Sequence, residues 1–171
     1  MLYIVRHGQT NWNTLNKRQG HTNIPLNETG IKQAKKLKDE LKNIKFDYVI
    51  SSPLDRAIQT AKIIYGKDPI IDERLIERNN GKLEGLTGDE IAKVQKQENY
   101  SDELYEVETI SDLQKRAEDF TREILAKYPG KDILIVTHVG LIMNIRCYLD
   151  GEPDDISNYV LGNCEVYKYK N

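Results

Sequence analysis

Two of the three histidines in this chain of 171 residues follow short apolar runs. His7 comes after Leu2–Val5 and Arg6, and His138 comes after Ile133–Val136 and one threonine. A neutral imidazole is a nucleophile, and a neighbouring guanidinium both favours the neutral form and attracts an anion. These residue types indicate a site where a phosphate or a similar anion is bound and attacked.

A second arginine, Arg56, lies in the first turn of a helix that is predicted to follow the run Asp47–Ser51. Arginine presents a planar fork of donors that matches phosphate oxygens, and a helix N-terminus adds backbone N–H groups. The alternative for Arg6 and Arg56 is a surface ion pair, for which Asp55 is the obvious local partner. Two arginines and two histidines together favour an anion site.

A metal site is the main chemical alternative for histidines near carboxylates. The sequence contains neither an HExxH motif nor paired aspartates, and two arginines beside the histidines would repel a cation. No metal is therefore predicted. The third histidine, His21, lies in the polar stretch Gly20–Asn23 and is interpreted as a loop residue.

Short apolar runs alternate with longer amphipathic segments, which is typical of an α/β domain. The predicted strands are Leu2–Val5, Asp47–Ser51, Ile70–Asp72, Asp132–Thr137 and Glu165–Tyr169. In open α/β sheets, ligands bind at the carboxyl ends of the strands. The two strand-end histidines are therefore expected at one edge of the sheet.

Helix starts are marked by capping patterns, by proline or by an apolar stripe. Three helix starts are predicted: Ser52 as a cap before Pro53, and capping boxes at Thr87 with Glu90 and at Ser111 with Gln114. A further helix is predicted over about 30–43, with Ile31, Ala34, Leu37 and Leu41 on its apolar face. Another helix is predicted to follow Gly140 and to end at Gly151. Residues 96–110 lose this periodicity and are interpreted as a short cap or insertion. Residues 1–171 are predicted to form a single domain.

The charge balance limits the classes of partner. Twenty-five Lys and Arg against 27 Asp and Glu leave a net charge of −2, so the overall positive field that attracts nucleic acids and anionic membranes is absent. We expect no nucleic-acid partner and no membrane partner. The apolar stretch before Arg6 is too short for a signal peptide, which favours a cytoplasmic location.

Taken in order, these motifs resemble the histidine phosphatase superfamily, the phosphoglycerate-mutase-like proteins. The resemblance covers almost the whole chain. It is carried by Arg6–Gly8, Asn13, Gln19–Gly20, Pro25–Leu26, Glu28–Gly30, Ser51–Ala57, Glu77, Gly81, Glu84–Gly85, Thr137–Gly140 and Asn163–Cys164.

The resemblance implies a phosphohistidine mechanism in which His7 attacks phosphorus and Glu77 protonates the leaving oxygen. Glu73 and Glu84 lie in the same stretch, so Glu77 is chosen by its match to the family position. Glu84 is assigned a structural hydrogen-bonding role.

The remaining implied site residues surround the phosphoryl oxygens. Arg6, Arg56 and His138 would hold the developing charge, and Asn13 and Gln19 would add neutral donors. From the residues alone, turn-forming amides are the alternative for Asn13 and Gln19.

The resemblance and the alternation of elements imply a three-layer α/β/α sandwich with a mostly parallel central sheet. The implied function is that of a metal-independent phosphomonoester phosphatase, similar to histidine acid phosphatases, that needs no cofactor and acts on a small phosphorylated metabolite. A phosphoglycerate-mutase-type isomerase and a non-catalytic module that binds a phosphorylated ligand are the alternatives. A homodimer is left open.

The cap favours the phosphatase over the mutase. It carries Glu98, Asp102, Glu103, Glu106 and Glu108, and it lacks the arginine cluster in which phosphoglycerate mutases resemble one another. An acidic cap would repel a second anionic group on the substrate. The expected substrate is therefore larger or less anionic, such as a nucleoside-like or sugar phosphate.

Overall fold

The computed structural model describes residues 1–171 and contains one five-stranded sheet in the order β3-β2-β4-β1-β5. The strands are β1 (Leu2–Arg6), β2 (Tyr48–Ser51), β3 (Ile70–Ile71), β4 (Ile133–Thr137) and β5 (Val166–Tyr169). Strands β1 to β4 are parallel, and β5 pairs antiparallel with β1. The prediction of a mostly parallel sheet is confirmed.

Helices cover both faces of this sheet. They are α1 (Asn11–Thr14), α2 (Glu28–Leu41), α3 (Asp55–Tyr65), α4 (Gly88–Gln95), α5 (Ile110–Lys127) and α6 (Val139–Asp150). Helices α2 and α3 pack together on one face, and α5 and α6 pack together on the other. The three-layer α/β/α fold is confirmed. No helix has both the length and the apolar composition needed to cross a bilayer.

Alternate side chains of the central strands fill two separate cores. In β1, Leu2 and Ile4 join the core beneath α5 and α6, whereas Tyr3 and Val5 join the core beneath α2 and α3. A strand that is buried on both faces reads as a continuous apolar run, because successive side chains point to opposite faces. Each fully buried side chain of this size contributes about 1.5–3 kcal/mol, so the two cores hold the strands firmly.

The predicted start of α3 is wrong. The helix begins at Asp55 rather than at Pro53, and no side chain caps it. Ser52 instead continues the pairing of β2 with β4, because its N–H donates to Val136 O at 3.0 Å. Its hydroxyl lies 2.7 Å from His138 Nε2. The hydroxyl that local capping rules assign to the helix is used by a histidine far along the chain.

The capping box of α4, formed by Thr87 and Glu90, is confirmed. The cap predicted for α5 is wrong, because Thr109 rather than Ser111 fills that position. Thr109 Oγ1 accepts from the N–H of Asp112 at 3.1 Å. Helix α5 therefore starts two residues earlier than predicted.

Helix α2 presses against the loop that carries His7. Its buried face consists of Gly30, Ala34, Leu37 and Leu41. Ile31, predicted on that face, is 37% exposed. A Cβ at Gly8 would lie 2.6 Å from the carbonyl oxygen of Gly30, and a Cβ at Gly30 would overlap the backbone of Gln9. Both positions require glycine because backbone atoms meet there.

Gly30→Ala is expected to lower the free energy of unfolding by about 1–3 kcal/mol through this overlap, although alanine normally favours a helix over glycine. Gly88→Ala is the matched control, because Gly88 also lies in the first turn of a helix and a Cβ there meets nothing within 4 Å. Urea unfolding at neutral pH compares the two. Equal stability of the two variants would contradict the close approach at Gly30.

Candidate active site

The register of the sheet brings the two strand-end histidines together. Arg6 lies opposite Thr137 in the β1–β4 pair, and the N–H of His7 donates to Thr137 O at 3.0 Å. His7 and His138 therefore leave the sheet side by side, with ring centroids 5.1 Å apart. Both lie at the carboxyl edge of the sheet, as expected from the strand ends.

His7 is oriented by its own loop. The residue is 3% exposed, and its Nδ1 lies 2.7 Å from the carbonyl oxygen of Gly8. Because a carbonyl oxygen only accepts, Nδ1 carries the proton of the neutral ring and Nε2 keeps its lone pair. Burial, followed by the charge of Arg56, lowers the pKa of His7 well below its ordinary value. His7 Nε2 is therefore available as a nucleophile at neutral pH.

His138 is held through both ring nitrogens. Its Nδ1 accepts from Arg56 Nε at 3.3 Å, so Nε2 carries the proton and donates to Ser52 Oγ at 2.7 Å. Burial, followed by the charge of Arg56, lowers the pKa of His138 well below its ordinary value. The residue is fully buried, and a contact from it to a bound anion requires one of these two bonds to be exchanged.

Arg56 is a buried cation with no anionic partner. It is fully buried, and its guanidinium donates to the carbonyl oxygens of Gly20 at 2.8 Å and Thr22 at 2.9 Å. No carboxylate lies within 4.0 Å, which excludes the ion pair with Asp55. Desolvation lowers the pKa of Arg56 to about 10, although more distant carboxylates oppose the shift. An anion bound beside Arg56 would offset the cost of burying its charge.

Arg6 is the second guanidinium of the site. Its Nη1 donates to Leu161 O at 2.7 Å, while its buried Nε has no acceptor in the protein. Desolvation lowers the pKa of Arg6, and the charges of Glu77 and Glu165 oppose that shift. Arg6 thus keeps hydrogen-bonding capacity that the protein does not use.

Thr10 sets the orientation of the two neutral donors. Its N–H donates to Asn13 Oδ1 at 3.0 Å, and its hydroxyl donates to Gln19 Oε1 at 2.9 Å. Both amide oxygens are thereby turned toward Thr10, which leaves the two NH₂ groups without protein acceptors. The Asn13 bond belongs to the capping box of α1, so this side chain is a turn-forming amide and a free donor at once.

The carboxylate of Glu77 lies against the first turn of α6. Its Oε1 accepts from the N–H of Arg78 at 2.9 Å, and its Oε2 lies 3.4 Å from the N–H of Gly140. A Cβ at Gly140 would lie 2.5 Å from this carboxylate, so a larger residue there would displace the Glu77 side chain. Glu73 is exposed, and Glu84 accepts backbone N–H bonds from loop residues 21, 22 and 80, in agreement with its predicted structural role.

The backbone around Glu77 is fixed from the other side by Arg116. This guanidinium donates to the carbonyl oxygens of Ile76 and Glu77 and forms a half-buried ion pair with Glu108. His21 Nε2 also lies 2.8 Å from Glu77 O. His21, interpreted as a loop residue, and Arg116, which the sequence did not single out, are thus positioned to hold Glu77.

These side chains surround a cavity of about 440 Å³, within the usual range for small-molecule sites of about 300–1,000 Å³. Six of the seven predicted site residues line it: Arg6, His7, Asn13, Gln19, Arg56 and Glu77. His138 lies behind this lining. Arg56 lines the cavity and donates a hydrogen bond to His138, so His138 is linked to the cavity through Arg56.

The acidic residues of the predicted cap do not line this cavity. Asp102 and Glu106 are exposed and pair with Arg78 and Lys82, and Glu108 turns inward to Arg116. The expectation that an acidic cap repels a second anionic group is therefore wrong. None of them lies among the residues that line the cavity, and Glu108 instead forms an ion pair with Arg116, eight residues along the chain.

Several residues of the site were missed from the sequence. Thr10, three residues before Asn13, carries a recognisable capping pattern that could have revealed it. Ser52 and Arg116 offer no such local signal, since their partners lie 86 and about 40 residues away. Lys17 and Arg18, which also line the cavity, resemble ordinary surface residues in the sequence.

Comparison with known proteins gives relatives over most of the chain. The profile of the histidine phosphatase superfamily (branch 1) matches residues 2–170. The uncharacterized phosphatase PhoE of Bacillus subtilis (strain 168) is 35% identical over 164 residues, which span 94% of this chain and 82% of that protein. Phosphoglycerate mutase-like protein 4 of Arabidopsis thaliana is 34% identical over 157 residues, which span 84% of this chain and 68% of that protein.

The fold also matches solved structures. Phosphoserine phosphatase from Entamoeba histolytica, in complex with 3-phosphoglyceric acid, aligns with a TM-score of 0.82 at 30% identity. The alignment covers 96% of this chain and 87% of that chain. A mutant of the same enzyme in complex with phosphoserine aligns with a TM-score of 0.81 at 29% identity, over the same shares of the two chains.

Stability is expected to fall as the pH drops from about 7.5 to about 5.5. The unfolded chain protonates His7 and His138 near the ordinary pKa of 6.5, whereas the folded chain keeps both neutral to lower pH. Below the ordinary pKa, each buried histidine therefore lowers the free energy of unfolding by up to about 1.4 kcal/mol for each pH unit.

Urea unfolding across this pH range measures the slope, and His7→Asn/His138→Asn is expected to flatten it. His21→Asn is the matched control, because it replaces an exposed histidine and leaves both buried histidines in place. A slope in the double variant as steep as in the wild type would show that the two buried histidines are not its source.

Proposed function

The chain belongs to the histidine phosphatase superfamily (branch 1), and on this basis we propose that it hydrolyses phosphomonoesters through a phosphohistidine on His7. The observation that carries the proposal is the unprotonated Nε2 of His7 next to the buried, unpaired charge of Arg56. The imidazole supplies a nucleophile, and the guanidinium supplies fixed positive charge where negative charge develops. The relatives named as phosphatases support hydrolysis.

In the first proposed step, His7 Nε2 attacks phosphorus and the ester P–O bond breaks, with its electron pair moving to the alcohol oxygen. Glu77, in its carboxylic-acid form, gives that oxygen a proton so that the alcohol leaves neutral. In the second step, water attacks the phosphorus and passes a proton to Glu77. The N–P bond then breaks, which releases phosphate and restores the lone pair of His7.

Four side chains are proposed to hold the phosphoryl oxygens during both steps. Arg6 and Arg56 provide charged donors, and the NH₂ groups of Asn13 and Gln19 provide neutral donors whose direction Thr10 already sets. We assign His138 a role behind them, because its bond from Arg56 Nε fixes the plane of that guanidinium.

We propose a small-molecule phosphomonoester as the substrate, no metal requirement and a cytoplasmic location. The two guanidiniums would supply the positive charge that metal ions supply in other phosphoryl-transfer enzymes. No group of three or more His, Cys, Asp and Glu side chains is arranged to hold a metal ion. The net charge of −2 argues against a nucleic-acid substrate.

A mutase is the second candidate, because the Arabidopsis relative is named as phosphoglycerate mutase-like. The same phosphohistidine would then return its phosphoryl group to an organic acceptor instead of to water. The two candidates differ only in the second step, so they need a test in which both products are followed.

A pulse of radiolabelled phosphomonoester, quenched within milliseconds in alkaline detergent, is expected to leave an acid-labile label on His7. Peptide mapping locates the label, and His7→Gln should abolish it while the protein remains folded by circular dichroism. Label on His138, on a non-histidine residue or nowhere would sink the proposal.

The same preparation, given 3-phosphoglycerate with its bisphosphate primer, separates hydrolysis from isomerisation. We expect release of inorganic phosphate to exceed isomer formation. Efficient isomerisation with no net phosphate release would instead identify a mutase.

A further inference from the structure

The cavity is lined by three cations that the proposed hydrolysis does not use. Arg6 and Arg56 lie next to His7, whereas Lys17, Arg18 and Arg78 line the rest of the cavity. We call these three residues the cationic wall. Glu77 is the only carboxylate among the residues that line the cavity, so positive charge exceeds negative charge there.

Two members of the cationic wall have no ion-pair partner. No carboxylate lies within 4.0 Å of Lys17 or Arg18. The charge of Lys17 contributes to the lowered pKa of Glu90, but that carboxylate is bound by the N–H and hydroxyl of Thr87 as part of a helix cap. Lys17 Nζ lies 5.9 Å from the ring centroid of Trp12.

Arg78, the third member, is positioned rather than neutralised. Its Nε donates to the carbonyl oxygen of Glu108 at 2.8 Å, which anchors the guanidinium. Its one ion-pair contact, to the exposed Asp102, is long at 3.5 Å. A contact of this length in solvent contributes little.

The backbone of the cationic wall is fixed in place. Lys17 forms an antiparallel bridge with Thr87, the N–H of Arg18 donates to Leu86 O at 2.9 Å, and the N–H of Gly85 donates back to Arg18 O at 2.8 Å. Lys17 and Arg18 are therefore held at the cavity by pairing with one adjoining segment, residues 85–87. A site of this kind binds an anion without first having to order a loop.

We propose that the substrate is a phosphomonoester whose alcohol part carries a second anionic group, which Lys17, Arg18 and Arg78 bind. This inference rests on the proposed function, since it requires the phosphate to lie between His7 and Arg56. With the phosphate there, the rest of the molecule occupies the remaining part of the cavity, whose lining includes the cationic wall. A carboxylate and a second phosphate share the chemistry that this wall recognises.

Matched substrates test the inference directly. Phosphoserine and phosphoethanolamine differ by one carboxylate, and fructose 1,6-bisphosphate and fructose 6-phosphate differ by one phosphate. We expect kcat/KM to be about tenfold or more higher for the doubly anionic member of at least one pair. The pair that shows the preference identifies the second group.

The variant Lys17→Gln/Arg18→Gln is expected to lower that preference at least about fivefold, and Arg18→Glu should lower it further. Lys35→Gln/Lys38→Gln is the matched control, because it removes two positive charges from the exposed face of α2, away from the cavity. The control should keep the preference of the wild type.

Two results would overturn the inference, and they are distinguishable. In the first, p-nitrophenyl phosphate and the four test compounds are hydrolysed, but the doubly anionic compounds are not preferred, or Lys17→Gln/Arg18→Gln leaves their preference unchanged. The cationic wall then does not select the substrate, and the proposed function stands. If none of these compounds is hydrolysed, the proposed function fails and this inference fails with it.

Discussion

The guanidinium of Arg56 is enclosed by protein and faces backbone carbonyl oxygens and an imidazole, with no carboxylate within ion-pair distance. Removing a charge from water without giving it a counter-charge is costly, and carbonyl oxygens recover only part of that cost. The fold nevertheless holds this arrangement in place through further hydrogen bonds. Glu84 holds the loop whose carbonyl oxygens at Gly20 and Thr22 receive the guanidinium.

The rest of the site follows from this charge. Arg56 helps to keep both buried histidines neutral, and its bond to His138 selects the tautomer in which the Nε2 proton goes to Ser52. His7 takes the opposite tautomer because its Nδ1 meets Gly8 O. Two imidazoles 5.1 Å apart thus have different proton arrangements, and only His7 presents a lone pair that the protein does not use.

Much of this could be read from the sequence, because the determinants are local. Apolar runs that end in His7 and His138 predicted the strands, and parallel strands bring their carboxyl ends to one edge. Two errors arose where a side chain has a tertiary partner that local sequence patterns do not indicate. Ser52 matches the pattern of a helix cap, but its hydroxyl is hydrogen-bonded to His138, which lies 86 residues away. Glu108 looked like part of an acidic cap, yet it pairs with Arg116 beneath the surface.

The claim that the buried charge of Arg56 is completed by a phosphate can be measured by isothermal titration with inorganic phosphate, without any turnover. Arg56→Gln removes the charge and keeps an amide that can still donate to a carbonyl oxygen. We expect the wild type to bind phosphate and the variant to bind it about 10²-fold more weakly, the usual loss for one preorganised charged donor. Equal affinity in the two proteins would contradict a phosphate site built around Arg56.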